Sequence, residues 1–283
     1  MIYHLEVLLG GHMEDRILTI TSSQNEKIKL VLKLKEKRNR EEFNLFIIEG
    51  YREISRAIDS HYPIDTLYFC EELFLGSNED KLIQEIGKRA SLIRVPEHLF
   101  EKFSYRDRPD GLLALAPIQK KSLKELVLDP SKTPLIIIAE SIEKPGNLGS
   151  ILRSADATLV SAVIVCDPCT DIYNPNVVRA SVGTLFSIPV IQTNTEETMQ
   201  YLRDHGILIV AATPHTDTLY TEVDLKQPVA IAVGTEQVGL SDAWMQSADI
   251  KVKIPMLGIA DSLNVAAATT LLLYEAIRQR YGT

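Results

Sequence analysis

Three short polar clusters in the C-terminal half combine residue types that hold a polar ligand. Asp261-Ser262-Leu263-Asn264 interrupts the otherwise apolar run KIPMLGIADSLNVAAATTLLLYEAIRQR. Asn147 and Arg153 follow an apolar stretch in LIIIAESIEKPGNLGSILRSADA, and Gly234 to Leu240 follow another in VAIAVGTEQVGLS. Free backbone amides at a helix start favour polar or anionic groups. Glycines at the end of a strand let the backbone approach a ligand closely. Ser262 alone would be a helix cap and Glu236 alone a loop carboxylate; the threefold repetition of the pattern points to a site.

The elements that position these clusters follow from periodicity. Lys251 to Pro255 alternates as a strand, and Ser262 or Asn264 caps a helix running through Tyr281. Leu135 to Ala139 reads as a buried strand. It leads into a helix whose apolar face is Leu148, Ile151, Leu152 and Ala155, with Asn147 as N-cap and Arg153 projecting from the second turn. Val229 to Val233 is a further buried strand. Strands and helices alternate from residue 134 to the end, which predicts an α/β fold with a mostly parallel sheet covered by helices on both faces. Upstream, a basic helix from Asn25 to about Arg40 precedes strands near Leu45 to Ile48, Thr66 to Cys70, Leu92 to Val95 and Leu112 to Ala116. The expected organisation is a smaller α/β domain over 13–117, a polar linker over 118–133 without a sustained apolar face, and a second domain over 134–283. Residues 1–12 read as a vector-derived segment ahead of a natural start at Met13.

Several chemistries are excluded on particular residues. Gly234 to Ser241 has the glycine spacing of a phosphate-binding loop, yet Leu240 stands where the phosphate-contacting lysine is required. No G-x-G-x-x-G turn follows the first strand of the C-terminal half, so a dinucleotide fingerprint is missing. None of the six histidines falls in the clusters, which argues against a Ser-His nucleophile pair. Cys166 and Cys169 form a C-x-x-C, but a zinc site needs a second ligand pair, and Cys166 reads as the last buried residue of the strand beginning at Ala162. Three cysteines fit a reducing, cytoplasmic compartment, no metal is implied, and no apolar run reaches membrane-spanning length.

The three clusters together resemble the three motifs of the SpoU-type, TrmH-like 2'-O-ribose RNA methyltransferases, which use S-adenosyl-L-methionine. Asn147, Gly149 and Arg153 match the first motif, and Gly234, Glu236, Gly239 and Leu240 match the second. Ile254, Pro255, Met256, Ser262, Leu263 and Asn264 match the third. Asn174 to Gly183 is similar to the family's intervening segment. The resemblance implies a deep C-terminal trefoil knot, a cofactor pocket built around Thr213, Gly234, Gly239, Ile254, Met256 and Leu263, and a homodimer whose active site draws on both subunits. It also implies that Arg153 acts on the 2'-hydroxyl, braced by Asn147, Glu236, Ser262 and Asn264. A guanidinium stays protonated and is a poor base, so orienting the hydroxyl and stabilising developing charge is the role its chemistry suits.

Glu49 to Glu53 and Pro109 to Ala114 resemble pieces of the ribosomal-protein-like, substrate-binding domain found in part of this family, although Pro109-Asp110-Gly111 departs from the usual form of that loop. The formal charge of −8 runs against RNA binding, yet seven basic residues against one acid lie between Lys27 and Arg40. Lys33, Lys35, Lys37 and Arg38, with Arg106 and Arg108 beside Tyr105, and Arg179, are the expected RNA contacts. Ribosomal RNA is the leading substrate by family association. A tRNA methyltransferase or a catalytically silent RNA-binding relative is the alternative.

Overall fold

The computed structural model describes residues 13–282, so the expectation for residues 1–12 lies outside the described residues. The chain divides between Ile118 and Gln119 into two compact units, each with its own sheet.

The first unit carries β1 (Ile17–Thr19), α1 (Glu26–Lys33), α2 (Lys37–Phe43), β2 (Leu45–Glu49) and α3 (Tyr51–Asp59). These are followed by β3 (Thr66–Phe69), α4 (Glu79–Ile86), β4 (Ser91–Arg94), α5 (Glu97–Phe103) and β5 (Leu112–Pro117). The strands form a mixed sheet in the order β1-β4-β3-β5-β2, with β5 antiparallel to both neighbours. Ile47, Tyr68, Ile93, Phe100, Phe103 and Leu113 fill one side of it.

The basic stretch expected as one helix is two. Arg40, 2% exposed, turns back to donate from Nη1 to the carbonyls of Leu34 and Lys35 at 2.9 and 2.7 Å. Asn39 donates to the Lys33 carbonyl at 2.8 Å. Side chains thus satisfy carbonyls that a continuous helix would pair with backbone amides, and the chain turns at Leu34 to Glu36. The break removes Arg40 from the surface and leaves Lys33, Lys37 and Arg38 exposed.

The second unit comprises β6 (Leu135–Glu140), α6 (Pro145–Ala157), β7 (Ala162–Cys166), α7 (Pro175–Ser181), β8 (Val190–Thr193) and α8 (Thr195–Asp204). It continues with β9 (Leu208–Ala212), β10 (Val229–Val233), α9 (Asp242–Ser247), β11 (Ile250–Val252) and α10 (Val265–Tyr281). All six strands are parallel, in the order β11-β9-β10-β6-β7-β8. β6, β7 and β10 are buried along their whole length, which is why they read as unbroken apolar runs. Cys166 ends β7 as expected, buried, with its thiol pushed up to about 12 by that burial.

The stretch 118–133, read as a linker, is not a free tether. Leu123 is buried in the core of the second unit with Trp244, and Leu126 and Leu128 pack against the same cluster. Only a single 3-10 turn, Leu123–Glu125, forms there, so the leucines follow no helix or strand period that a pattern search detects.

Two contacts fix the helices that carry the polar clusters. Gly149 lets α6 lie directly on α7, because a Cβ at this position would stand 2.4 Å from Ala180 Cβ. At the far end of α10, Arg280 donates to the carbonyls of Thr133, Pro134, Leu225 and Gln227 at 2.7 to 3.0 Å, pinning the helix to the starts of β6 and β10. At 1.5 Å per residue, α10 then spans roughly 25 Å and delivers Asn264 to the opposite edge of the sheet.

Candidate active site

The chain starts the second sheet at β6, builds β7 and β8 on one side, then returns to place β9 and β10 on the other. β6 and β10 are therefore adjacent and in register, with Val233 beside Ala139. Their following loops emerge together at the carboxyl edge, where open parallel sheets form a crevice. β9 and β11 end at the same edge, Val252 beside Ala212. Segments more than a hundred residues apart converge for this reason.

Three side chains meet there. Asn147 Nδ2 donates to Glu236 Oε1 at 2.9 Å, and Asn264 Nδ2 donates to the same oxygen at 2.7 Å and to Asn147 Oδ1 at 3.0 Å. Asn264 Oδ1 meanwhile accepts from the amides of Ala266 and Ala267, capping α10. Each cluster thus supplies one member of a closed ring. The expectation that Asn147 caps its helix is corrected. Pro145 at the first helical position starts α6 earlier, with Lys144 as N-cap, and this frees the Asn147 amide for Glu236.

Lys144 completes the ring by pairing with Glu236 Oε2. The Lys144 ammonium and then the Asn147 and Asn264 amides hold the Glu236 carboxyl below the usual carboxylate range, and Glu236 in turn raises Lys144. Glu236 is therefore a fixed anion at neutral pH. Its loop is also held from beneath: buried Glu140 accepts from the Ser241 amide at 2.8 Å. Lys144 and Glu140 escaped the sequence reading. An acid ending an apolar strand was a usable signal for Glu140, whereas no spacing marks Lys144.

Beside the ring opens a cavity of about 700 Å³, within the range of small-molecule sites. Thr213, Gly234, Gly239, Ile254, Met256 and Leu263 all line it, together with Glu236 and Ser262. Gly234 is required where it sits, since a Cβ would fall 2.2 Å from the Gly239 carbonyl oxygen, and Gly239 itself has φ +71°. Reciprocal hydrogen bonds of 3.1 Å between Thr235 and Gly239 close that turn. His215, outside every motif, also lines the cavity, and its amide donates to Thr213 Oγ1 at 3.2 Å.

Arg153 does not join the ring. It lies six residues beyond Asn147, roughly 9 Å along α6 and on another face. It is exposed, and among the described residues its side chain makes no ion pair or hydrogen bond.

The basic residues of the first unit divide. Arg108 is exposed, while Lys35 lies 4.7 Å from the centre of the Tyr105 ring. Arg106, expected as an RNA contact, is half-buried and braces the unit from within, with its Nη atoms 2.8 Å from Glu53 and 3.4 Å from Asp110 and one of them donating to the Glu49 carbonyl. Arg179 is exposed on α7. No helix is long and apolar enough to cross a membrane among the described residues.

Comparison with known proteins places this geometry. Residues 134–274 match the SpoU rRNA Methylase family, and residues 25–114 match the MRM3-like substrate binding domain. The 23S rRNA (uridine(2479)-2'-O)-methyltransferase of Streptomyces viridochromogenes is 33% identical over 242 residues, covering 83% of each chain. A crystal structure of an RNA 2'-O ribose methyltransferase superposes with a TM-score of 0.81 at 41% identity, over 93% of this chain and 99% of that one. The AdoMet-bound rRNA methyltransferase from Sinorhizobium meliloti superposes with a TM-score of 0.84 at 29% identity, over 93% of this chain and 98% of that one.

Proposed function

The chain belongs to the SpoU rRNA methylase family, and from that premise we infer that it transfers the methyl group of S-adenosylmethionine to a ribose 2'-hydroxyl of ribosomal RNA. The observation that carries this reading is the cavity at the carboxyl edge of the parallel sheet, walled by the second and third motifs and bordered by the Asn147–Glu236–Asn264 ring, to which the first motif contributes Asn147.

The cavity's chemistry fits the cofactor. Ile254, Met256, Leu263 and Val265 supply an apolar wall for a flat purine, and Glu236, Asp242 and Asp261 supply carboxylates suited to cationic groups. Thr213, Gly234 and Gly239 contribute the close backbone approach. When bound there, S-adenosylmethionine supplies a methyl group already activated on sulfur. What remains for the protein is to hold the hydroxyl in line, assist loss of its proton and exclude water.

Arg153 is assigned to the ribose hydroxyl. A fixed cation beside the oxygen stabilises negative charge as the O–C bond forms and the proton leaves. Asn147 and Glu236 hold the start of α6 and so set where Arg153 projects. Ser262, at the cavity wall, and Asn264 complete the polar border. The knot implied by the family belongs to this reading.

A homodimer belongs to it as well. Arg153 stands away from the ring of its own chain, and α10 exposes Leu271 and Tyr274 at 41% and 52%. A second copy covering this face would bury apolar surface and bring its own Arg153 to a neighbouring cavity. Sedimentation at micromolar concentration is expected to give the dimer mass; a monomer there contradicts the shared site.

The first unit is assigned to RNA docking through Lys33, Lys35, Lys37 and Arg38, with Arg108 and, in the second unit, Arg179 as further contacts. Replacing Lys33, Lys35 and Lys37 by glutamine is expected to lower the slope of log affinity against log salt by about 2 to 3, because each phosphate contact releases close to one counterion. An unchanged slope would return these lysines to an ordinary solvated face. Labelled methyl transfer to unmodified total RNA, separated by size, tests the function itself.

A further inference from the structure

Lys144 belongs to none of the three motifs, and the methyl-transfer chemistry assigned above gives it no task. It is the N-cap residue of α6, directly ahead of Pro145, and its side chain makes no capping hydrogen bond. Its ammonium instead crosses to Glu236 Oε2, on the loop that follows β10. The other carboxylate oxygen, Oε1, accepts from Asn147 at 2.9 Å and from Asn264 at 2.7 Å.

Stability does not account for the pair. The lysine side chain is 67% exposed and that of Glu236 is 27% exposed, and ion pairs so open to water contribute little. Geometry does account for it. Lys144 and Asn147 are three residues apart, on one face of the first turn of α6, and both reach Glu236. Asn147 alone would leave the helix start free to pivot about a single contact. Two contacts, one on each carboxylate oxygen, fix its position and its rotation together. The lysine also holds the plane of the carboxylate, whose terminal torsion is otherwise broad and two-fold, so that Oε1 keeps facing both asparagines. Arg153 lies nine residues beyond Lys144, so roughly 13 Å of helix carries any tilt at the start into a displacement of its guanidinium.

We propose that Lys144 is a positioning residue for the methyl transfer inferred above: its ammonium locks the Glu236 carboxylate against the start of α6 and thereby aims Arg153 at the ribose hydroxyl. The role rests on that function. The groups facing Glu236 are the Lys144 cation and the neutral amides of Asn147 and Asn264; Glu143 stands beside Lys144, and Asp242 and Asp261 lie elsewhere on the cavity wall. The Lys144 ammonium is the chief reason that the Glu236 carboxyl sits below the usual carboxylate range. A carboxyl depressed in this way keeps the ring intact until falling pH protonates it, and losing the lysine moves that point to higher pH.

The test compares the natural full chain with K144M and K144R by single-turnover methylation of ribosomal RNA across pH, with cofactor titration and thermal melting alongside. In K144M, turnover at neutral pH should fall about tenfold to a hundredfold, the scale of a small misplacement of a catalytic group, and the acid limb should move to higher pH. K144R keeps the cation, so it should recover most of the turnover and the natural acid limb. Cofactor affinity and melting temperature should stay at the natural level in both, because Lys144 is exposed and stands outside the described residues that line the cavity. The carboxyl NMR titration of Glu236, identified by its absence in E236Q, should shift upward in K144M with neither cofactor nor RNA present. Natural turnover in K144M, an unshifted Glu236 titration, or equal losses in K144M and K144R would each overturn the proposal. Parallel losses of melting temperature and cofactor affinity would do the same, reducing Lys144 to a structural support. A natural protein that methylates no RNA removes the underlying function and this role with it; normal methylation beside an unimpaired K144M removes only the role of Lys144.

Discussion

Arg153→Ala lowers methyl transfer by roughly a hundredfold to a thousandfold, the range for losing one preorganised group that stabilises transition-state charge. Cofactor affinity stays at the level of the natural protein, because Arg153 lies outside the cavity that Thr213, Ile254 and Met256 line. Its exposure and lack of partners also mean that little stability depends on it. Arg153→Lys should recover only part of the loss, since an ammonium keeps the charge without the planar fork. Single-turnover methylation and cofactor titration separate the two quantities. Unchanged turnover in Arg153→Ala would remove this residue from the mechanism, and parallel loss of cofactor affinity would move it into the cavity.

Gly234→Ala has the opposite signature. The new methyl would meet the Gly239 carbonyl oxygen at 2.2 Å and the Leu240 amide nitrogen at 2.5 Å, both backbone atoms that cannot rotate aside. The turn closed by Thr235 and Gly239 must open, at the cost of overpacking, typically about 1 to 3 kcal/mol. Because the same turn walls the cavity, cofactor affinity is expected to fall about tenfold or more. Gly146→Ala is the control, since nothing lies within 4 Å of a Cβ there. Calorimetric titration of both variants checks the contrast; equal affinities would show that the turn does not shape the cofactor site.

The strands of the second sheet were legible because a parallel strand buried on both faces must be apolar throughout, as Leu135 to Ala139 and Val229 to Val233 are. The meeting of Asn147, Glu236 and Asn264 was legible only through family resemblance. Strand order, which creates it, leaves no trace in local periodicity. Where side chains overrule local pattern, the reading failed. Arg40 breaks a helix that propensity would continue, Pro145 starts α6 ahead of Asn147, and Leu123 anchors a stretch with no regular period. Lys144 and His215 reach the site through loop conformation, and Arg106 is drawn inward by acids distant in sequence, including Glu53.

Transfer of labelled methyl from S-adenosylmethionine to unmodified ribosomal RNA, followed by alkaline hydrolysis, tests the central claim most directly. A 2'-O-methyl group blocks cleavage at its own nucleotide, so the predicted result is label in alkali-resistant dinucleotides from the ribosomal fraction. Label released in mononucleotides would place the methyl on a base, and no transfer to RNA by protein that binds the cofactor would make this chain a silent relative; either contradicts the account.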